Sequence, residues 1–83
     1  MKKEFTVDLE GKSRSCALQR RLAAALPLPP EYGCNLDAMY DVLTEYGGEW
    51  KIVFRNSAHV PESFRQVCMD AAAETPGLEI VFV

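Results

Sequence analysis

Apolar residues recur first at every second position and then at every third or fourth, and the switches between these periods divide the chain into six elements. Glu4 to Leu9 puts Phe5, Val7 and Leu9 on one side of an extended segment, the pattern of a strand with one buried face, and Gly11 ends it. Ser13 or Ser15 can cap a helix in which Leu18, Leu22, Ala25 and Leu26 share a face. Gln19, Arg20 and Arg21 mostly face water in that helix, and Pro27 stops it. Pro27-Leu28-Pro29-Pro30 then forms a stiff connector.

Asn35 starts a second helix, because its side chain can accept from a backbone N–H one turn further on, and Asp37 falls in the first turn, where the helix dipole favours an anion. Stepping 100° per residue gathers Leu36, Met39, Tyr40, Leu43 and Tyr46 on one side with Val42 at its edge. Asp37, Asp41, Thr44 and Glu45 gather on the other. Gly47-Gly48 terminates the helix, and Trp50 to Phe54 is a short strand of β-branched and aromatic residues. Pro61, favoured at a first helical position, opens a third helix with Phe64, Val67, Cys68 and Ala71 on one face, closed by Pro76-Gly77. Leu78 to Val83 is a nearly continuous apolar run, the expected signature of a strand covered on part of both faces. The order β-α-α-β-α-β puts a helix in every strand-to-strand connection. That predicts an α/β fold with a small three-stranded parallel sheet and right-handed crossovers.

Eighty-three residues suffice for one domain, 1–83, and 48% hydrophobic with 25% charged residues describes an ordinary globular chain. No apolar run approaches the roughly 18 residues of a membrane span, and Met1-Lys2-Lys3 leads into an alternating segment where a signal peptide needs an apolar block. The expectation is a cytoplasmic protein with no membrane partner. Cys16, Cys34 and Cys68 are odd in number and widely spaced, and with one His they suggest neither a disulfide framework nor a metal site. They read as reduced thiols without a reactive role, and no cofactor is implied.

Charge is distributed unevenly. Residues 1–21 carry six bases and three acids, residues 51–83 three bases and four acids, and residues 22–50 five acids (Glu31, Asp37, Asp41, Glu45 and Glu49) with no base at all. The net charge of −3 argues against nucleic acid as a direct ligand, whereas the acidic segment would attract a basic partner. Asp37, Asp41 and Glu45 stand at successive i, i+4 positions, where each like-charge pair disfavours a helix by roughly 0.2–0.5 kcal/mol. A solvated helix face is the plain explanation of such a stripe; Tyr40 beside the two aspartates points toward an interface, where aromatic residues concentrate. Catalysis by Asp37 and Asp41 is disfavoured, since two exposed carboxylates without a neighbouring His, Lys or Cys lack a water-excluded cleft. His59 reads as a surface residue. Trp50 is expected to close the core, and Tyr32 and Tyr46 to cover it or border the acidic helix.

The run Leu26-Pro27-Leu28-Pro29-Pro30-Glu31-Tyr32-Gly33-Cys34-Asn35-Leu36-Asp37-Ala38-Met39-Tyr40-Asp41-Val42-Leu43-Thr44 resembles the signature of the barstar family of ribonuclease inhibitors, with the Asn cap, both aspartates and the intervening aromatic in register. The order of elements is also that family's, although residues 55–61 are too short for an extra helix found in its best-known member. The resemblance implies a two-layer fold and an inhibitor that plugs the active site of a small, basic, secreted bacterial ribonuclease with its second helix and the preceding loop. It implies that Asp41 occupies the phosphate site and that Asp37 pairs with enzyme bases. Asn35, Gly33 and Tyr32 then stand for loop residues around the contact, Tyr40 for a Trp on the helix and Tyr46 for a Trp after it. Allowing one inserted residue before Gly77, Asp70 stands for a Glu adding an ion pair from the last helix. Glu31 lies where the best-known member has an aromatic that stacks on the enzyme's catalytic His. Together with Glu45 these residues form the expected partner-binding set of a protein that is a monomer when free. The same acidic face would serve an adaptor that docks on another basic protein without inhibiting a nuclease.

Overall fold

A computed structural model describes residues 2–83, with Met1 outside the described part of the chain. The alternation at the start of the chain becomes β1 (Lys3–Asp8), followed by the helices α1 (Ser15–Ala25) and α2 (Leu36–Tyr46), a 3₁₀ turn (Gly47–Glu49), β2 (Trp50–Arg55), α3 (Glu62–Glu74) and β3 (Glu79–Phe82). The fold is α/β, with three parallel strands in the order β1-β2-β3. Phe5 lies opposite Ile52 and Ile52 opposite Ile80, and the next inward row is Val7, Phe54 and Phe82. These inward residues share one core with Leu18 and Leu22 of α1, Met39, Val42 and Leu43 of α2, and Phe64, Cys68 and Ala71 of α3. The helices therefore cover a single face of the sheet. Trp50 is buried at the start of β2, its ring edge-on to Phe5 at 5.3 Å between centroids.

The opposite face carries Glu4, Lys51 and Glu79 in one row and Thr6, Val53 and Val81 in the next. Cross-strand opposite charges are mildly stabilising, and Lys2 adds a second ammonium against Glu79. This face corrects the reading of β3. Glu79 and Val81 are exposed, because all three helices lie on the other side, and the apolar run covers one face only.

Four further expectations change. Neither Ser13 nor Ser15 caps α1: Arg14 is the N-cap, its side chain makes no cap bond, and Ser15 is already helical. Pro61 sits one position earlier than expected, at the N-cap of α3. Gln19 does not face water. It is fully buried, because the hydroxyl of Tyr32 and the sulfur of Met39 satisfy its amide. Along α2 the buried arc is Met39, Val42 and Leu43, so Val42 lies inside the core while Tyr46 is half exposed. At that end the chain turns into Gly47, which takes the inward place against Leu78.

The return from α3 to β3 depends on one glycine. Gly77 has φ +95°, and a Cβ there would stand 2.0 Å from the carbonyl oxygen of Gly48. Only a residue without a side chain allows the loop before β3 to pass so close to the loop after α2.

Candidate functional site

The acidic helix begins where the sequence places it. Asn35 adopts an extended N-cap conformation and its Oδ1 accepts from Ala38 N–H at 2.8 Å, while its carbonyl accepts from Met39 N–H at 2.9 Å. Its Nδ2 donates back to the Gly33 carbonyl at 3.2 Å, so the cap also ties down the preceding loop. The approach is close at Gly33, where a Cβ would stand 3.2 Å from Asn35 Nδ2 and 3.4 Å from Ala38 Cβ, so a larger residue would require the Asn35 side chain to shift by a few tenths of an ångström. Thr44 Oγ1 donates to the Tyr40 carbonyl at 2.9 Å, which turns this polar side chain back onto its own helix.

Burial fixes which way the helix faces. Each of Met39, Val42 and Leu43, removed from water, contributes about 1.5–3 kcal/mol. The two i, i+4 repulsions among Asp37, Asp41 and Glu45 oppose helix formation by only roughly 0.2–0.5 kcal/mol each, so packing wins and all three carboxylates stand exposed on the outer face. Among the described residues no Lys or Arg forms an ion pair with them. The last turn of α2 also lacks a base that would complement the dipole. Tyr40 is half-buried, its ring packed on the core beside the two aspartates, and Tyr46 is half exposed at the end of the helix.

The loop before α2 is built from turns. Tyr32 N–H donates to the Pro29 carbonyl at 3.0 Å, closing a turn over Pro30 and Glu31 that leaves the Glu31 carboxylate exposed. Leu28 and Tyr32 anchor the loop on the core. The Tyr32 hydroxyl points inward and donates to Gln19 Oε1, and burial pushes its ionisation well above the ordinary phenol range, so it stays protonated. Cys34 follows in the left-handed region at φ +53° with its thiol exposed, and Asn35 and Gly33 flank it. Cys68 is in the core, its thiol pushed up to about 12 by burial, and no thiol is disulfide-bonded.

Glu31, Gly33, Asn35, Asp37, Asp41, Glu45 and Tyr46 are thus exposed along one loop and one helix, with Tyr32 and Tyr40 half-buried among them. Asp70 is exposed on α3, the helix packed beside α2, where Gln66 Nε2 donates to it at 2.9 Å. Sequence reasoning missed Gln19. A polar residue directly after Leu18, followed by two arginines, looks like the wet side of a helix, and only the tertiary positions of Tyr32 and Met39 give it partners. A shallow depression lined by Glu10, Gly11, Asn56, Ala58 and His59 lies at the C-terminal ends of β1 and β2 and includes none of the predicted site residues. Among the described residues no cluster of three or more His, Cys, Asp or Glu is arranged to hold a metal.

A search of the curated proteins finds no match to the chain. A family model described as Barstar (barnase inhibitor) matches residues 2–82. A match of that extent leaves no element of the fold outside it, and the chain belongs to the barstar family.

Proposed function

We propose that the protein is an inhibitor, not an enzyme, that acts in the cytoplasm on a small basic ribonuclease, before that ribonuclease is secreted, by placing the carboxylates of α2 in its active site. The observation that carries this reading is the stripe Asp37, Asp41 and Glu45, exposed along a capped helix with no ion-pair partner among the described residues of its own chain. An enzyme that cleaves RNA aims cationic groups at phosphate and at the charge that develops in the transition state. Carboxylates fixed in space can engage the same donors through charge-assisted hydrogen bonds. Because the helix that carries them is already folded, no backbone entropy need be lost when they dock.

In this reading Asp41, at the middle of the stripe, fills the phosphate position and Asp37 pairs with a second base. Gly33, Tyr32 and Glu31 border the contact, Tyr40 and Tyr46 supply its apolar area, and Asp70 reaches it from α3. Titrating the protein into a panel of small secreted bacterial ribonucleases while following RNA cleavage tests the reading. Stoichiometric inhibition that is lost in Asp41→Ala is expected; inhibition equal in the variant and the parent removes Asp41 from the assigned role. Glu31, charged and exposed at the tip of its turn, favours a second reading in which the same face docks on a basic protein that is not a nuclease. Recovery of such a partner, with no member of the panel inhibited, decides for it.

A further inference from the structure

The loop from Pro27 to Cys34 has no regular structure, yet it carries Glu31, Tyr32 and Gly33 of the proposed contact surface. Its own backbone bonds are local: Leu28 N–H to the Leu26 carbonyl at 2.9 Å and Tyr32 N–H to the Pro29 carbonyl at 3.0 Å. Asn35 Nδ2 ties its end to α2 through the Gly33 carbonyl, Leu28 packs on the core, and Tyr32 adds a polar anchor. The Tyr32 hydroxyl reaches into the core and donates to Oε1 of Gln19, whose side chain is fully buried on α1. The Nε2 of the same amide donates to the Met39 sulfur of α2 at 3.6 Å. One buried amide thus touches the loop with its oxygen and the acidic helix with its nitrogen.

We infer that Gln19 is a positioning residue, which sets the loop Pro27–Cys34 in register with α2 by bridging Tyr32 to Met39. The inference rests on the proposed role of that face in binding, while its structural half stands on the free protein. A buried amide is maintained only if its polar atoms are satisfied. Here satisfaction requires Tyr32 and Met39 to be in place together, so displacing the loop leaves a buried acceptor without a partner. Met39 sulfur is a weak acceptor, and most of the bridge's directional hold therefore lies in the tyrosine hydroxyl. The exposed acids are untouched by this arrangement, so it governs how well the docked surfaces stay matched and leaves the charge that steers approach unchanged.

The test uses Gln19→Met, which keeps side-chain length while removing both hydrogen-bonding groups, and Tyr32→Phe, which deletes only the hydroxyl. In the free protein, hydrogen exchange of the Tyr32 and Ala38 amides is compared with that of Ile52 to Phe54 in β2. Both variants are expected to speed the first pair about tenfold relative to the strand. An unchanged ratio overturns the inference, and Tyr32→Phe decides it if Gln19→Met does not fold. Against a ribonuclease that the parent inhibits, both variants should dissociate about tenfold faster while associating within about twofold of the parent rate. The double variant should be no worse than either single one; additive losses would show that Gln19 does not act through Tyr32. If the parent inhibits no ribonuclease, the functional reading fails on its own, and the exchange ratio still decides the role of Gln19.

Discussion

α1 and α2 are both eleven residues long, and they treat their charges in opposite ways. The α1 helix has no side-chain cap and no acid in its first turn, but its Arg21 is used inside the molecule: Nε donates to the Asp8 carbonyl at 2.9 Å, and Nη1 stands 3.9 Å from Glu10. The α2 helix is well capped, carries Asp37 in its first turn, and leaves Asp37, Asp41 and Glu45 without an ion-pair partner among the described residues. In α1, Arg21 helps to hold the helix on β1, while Arg20 is exposed. Charge in α2 is kept free, and the cap and the buried arc supply the stability that the acids take away. A group of charges that is costly to its own helix, on an element held by a cap and a buried arc, is what the proposed binding role would use.

The largest test of that contrast is Asp41→Asn, because Asp41 belongs to both repulsive pairs of the stripe. Truncating one partner of a charge pair buried in an interface costs about 2–5 kcal/mol of binding. The same substitution should raise the stability of the free protein by about 0.4–1 kcal/mol, the sum of two relieved repulsions. Calorimetric titration and urea unfolding of the same sample read the two signs. A variant that loses both affinity and stability would make the stripe part of the architecture, like Arg21, and erase the contrast.

Exchanging the caps gives a smaller effect. Asn35→Ala is expected to cost about 1 kcal/mol in urea unfolding, and Arg14→Asp, which supplies α1 with the acceptor it lacks, to add about 1 kcal/mol. Asn35→Ala should also weaken binding, since Asn35 Nδ2 holds the Gly33 carbonyl, whereas Arg14→Asp should leave binding within about twofold.

The smallest effect is a pH dependence at the end of β1. The Asn56 side chain and the Glu10 N–H both donate to Asp8, holding its carboxyl below the ordinary value of 3.8. A carboxyl depressed in the folded state contributes stability above its unfolded value and loses it as pH falls through the folded one. Stability should therefore decline below about pH 4, and Asp8→Asn, which keeps an acceptor but does not titrate, should flatten that part of a urea-midpoint profile.

Much of this was legible in the sequence because it depends on local rules. Asn35 caps α2 because an Asn before an amphipathic run has a backbone donor within reach, and Phe5 and Val7 lie on the inner face of a strand, with Leu9 just past its end, because their spacing is two. Features set by distant partners were not legible. Gln19 is buried by a tyrosine on another segment, the outer side of β3 is bare because no helix crosses it, and Gly77 is required by a carbonyl at Gly48. At the candidate site the acids and their common face came from periodicity, whereas the inward turn of Tyr32 and the left-handed Cys34 came only from the structure.

The parallel pairing of β1 with β2 has a consequence for synthesis. Lys3 lies opposite Trp50 and Asp8 opposite Arg55, so the loop and helix that carry the acids are enclosed in the chain segment these two strands close. A nascent chain that has not yet released β2 from the ribosome can form a helix from α2, but the core surface on which that helix is oriented does not exist until Ile52 and Phe54 arrive. If α2 is the contact face, as proposed, competence to bind is a late event in the making of each molecule, and a truncated product ending before Trp50 carries every acid of the stripe without the core that orients its helix.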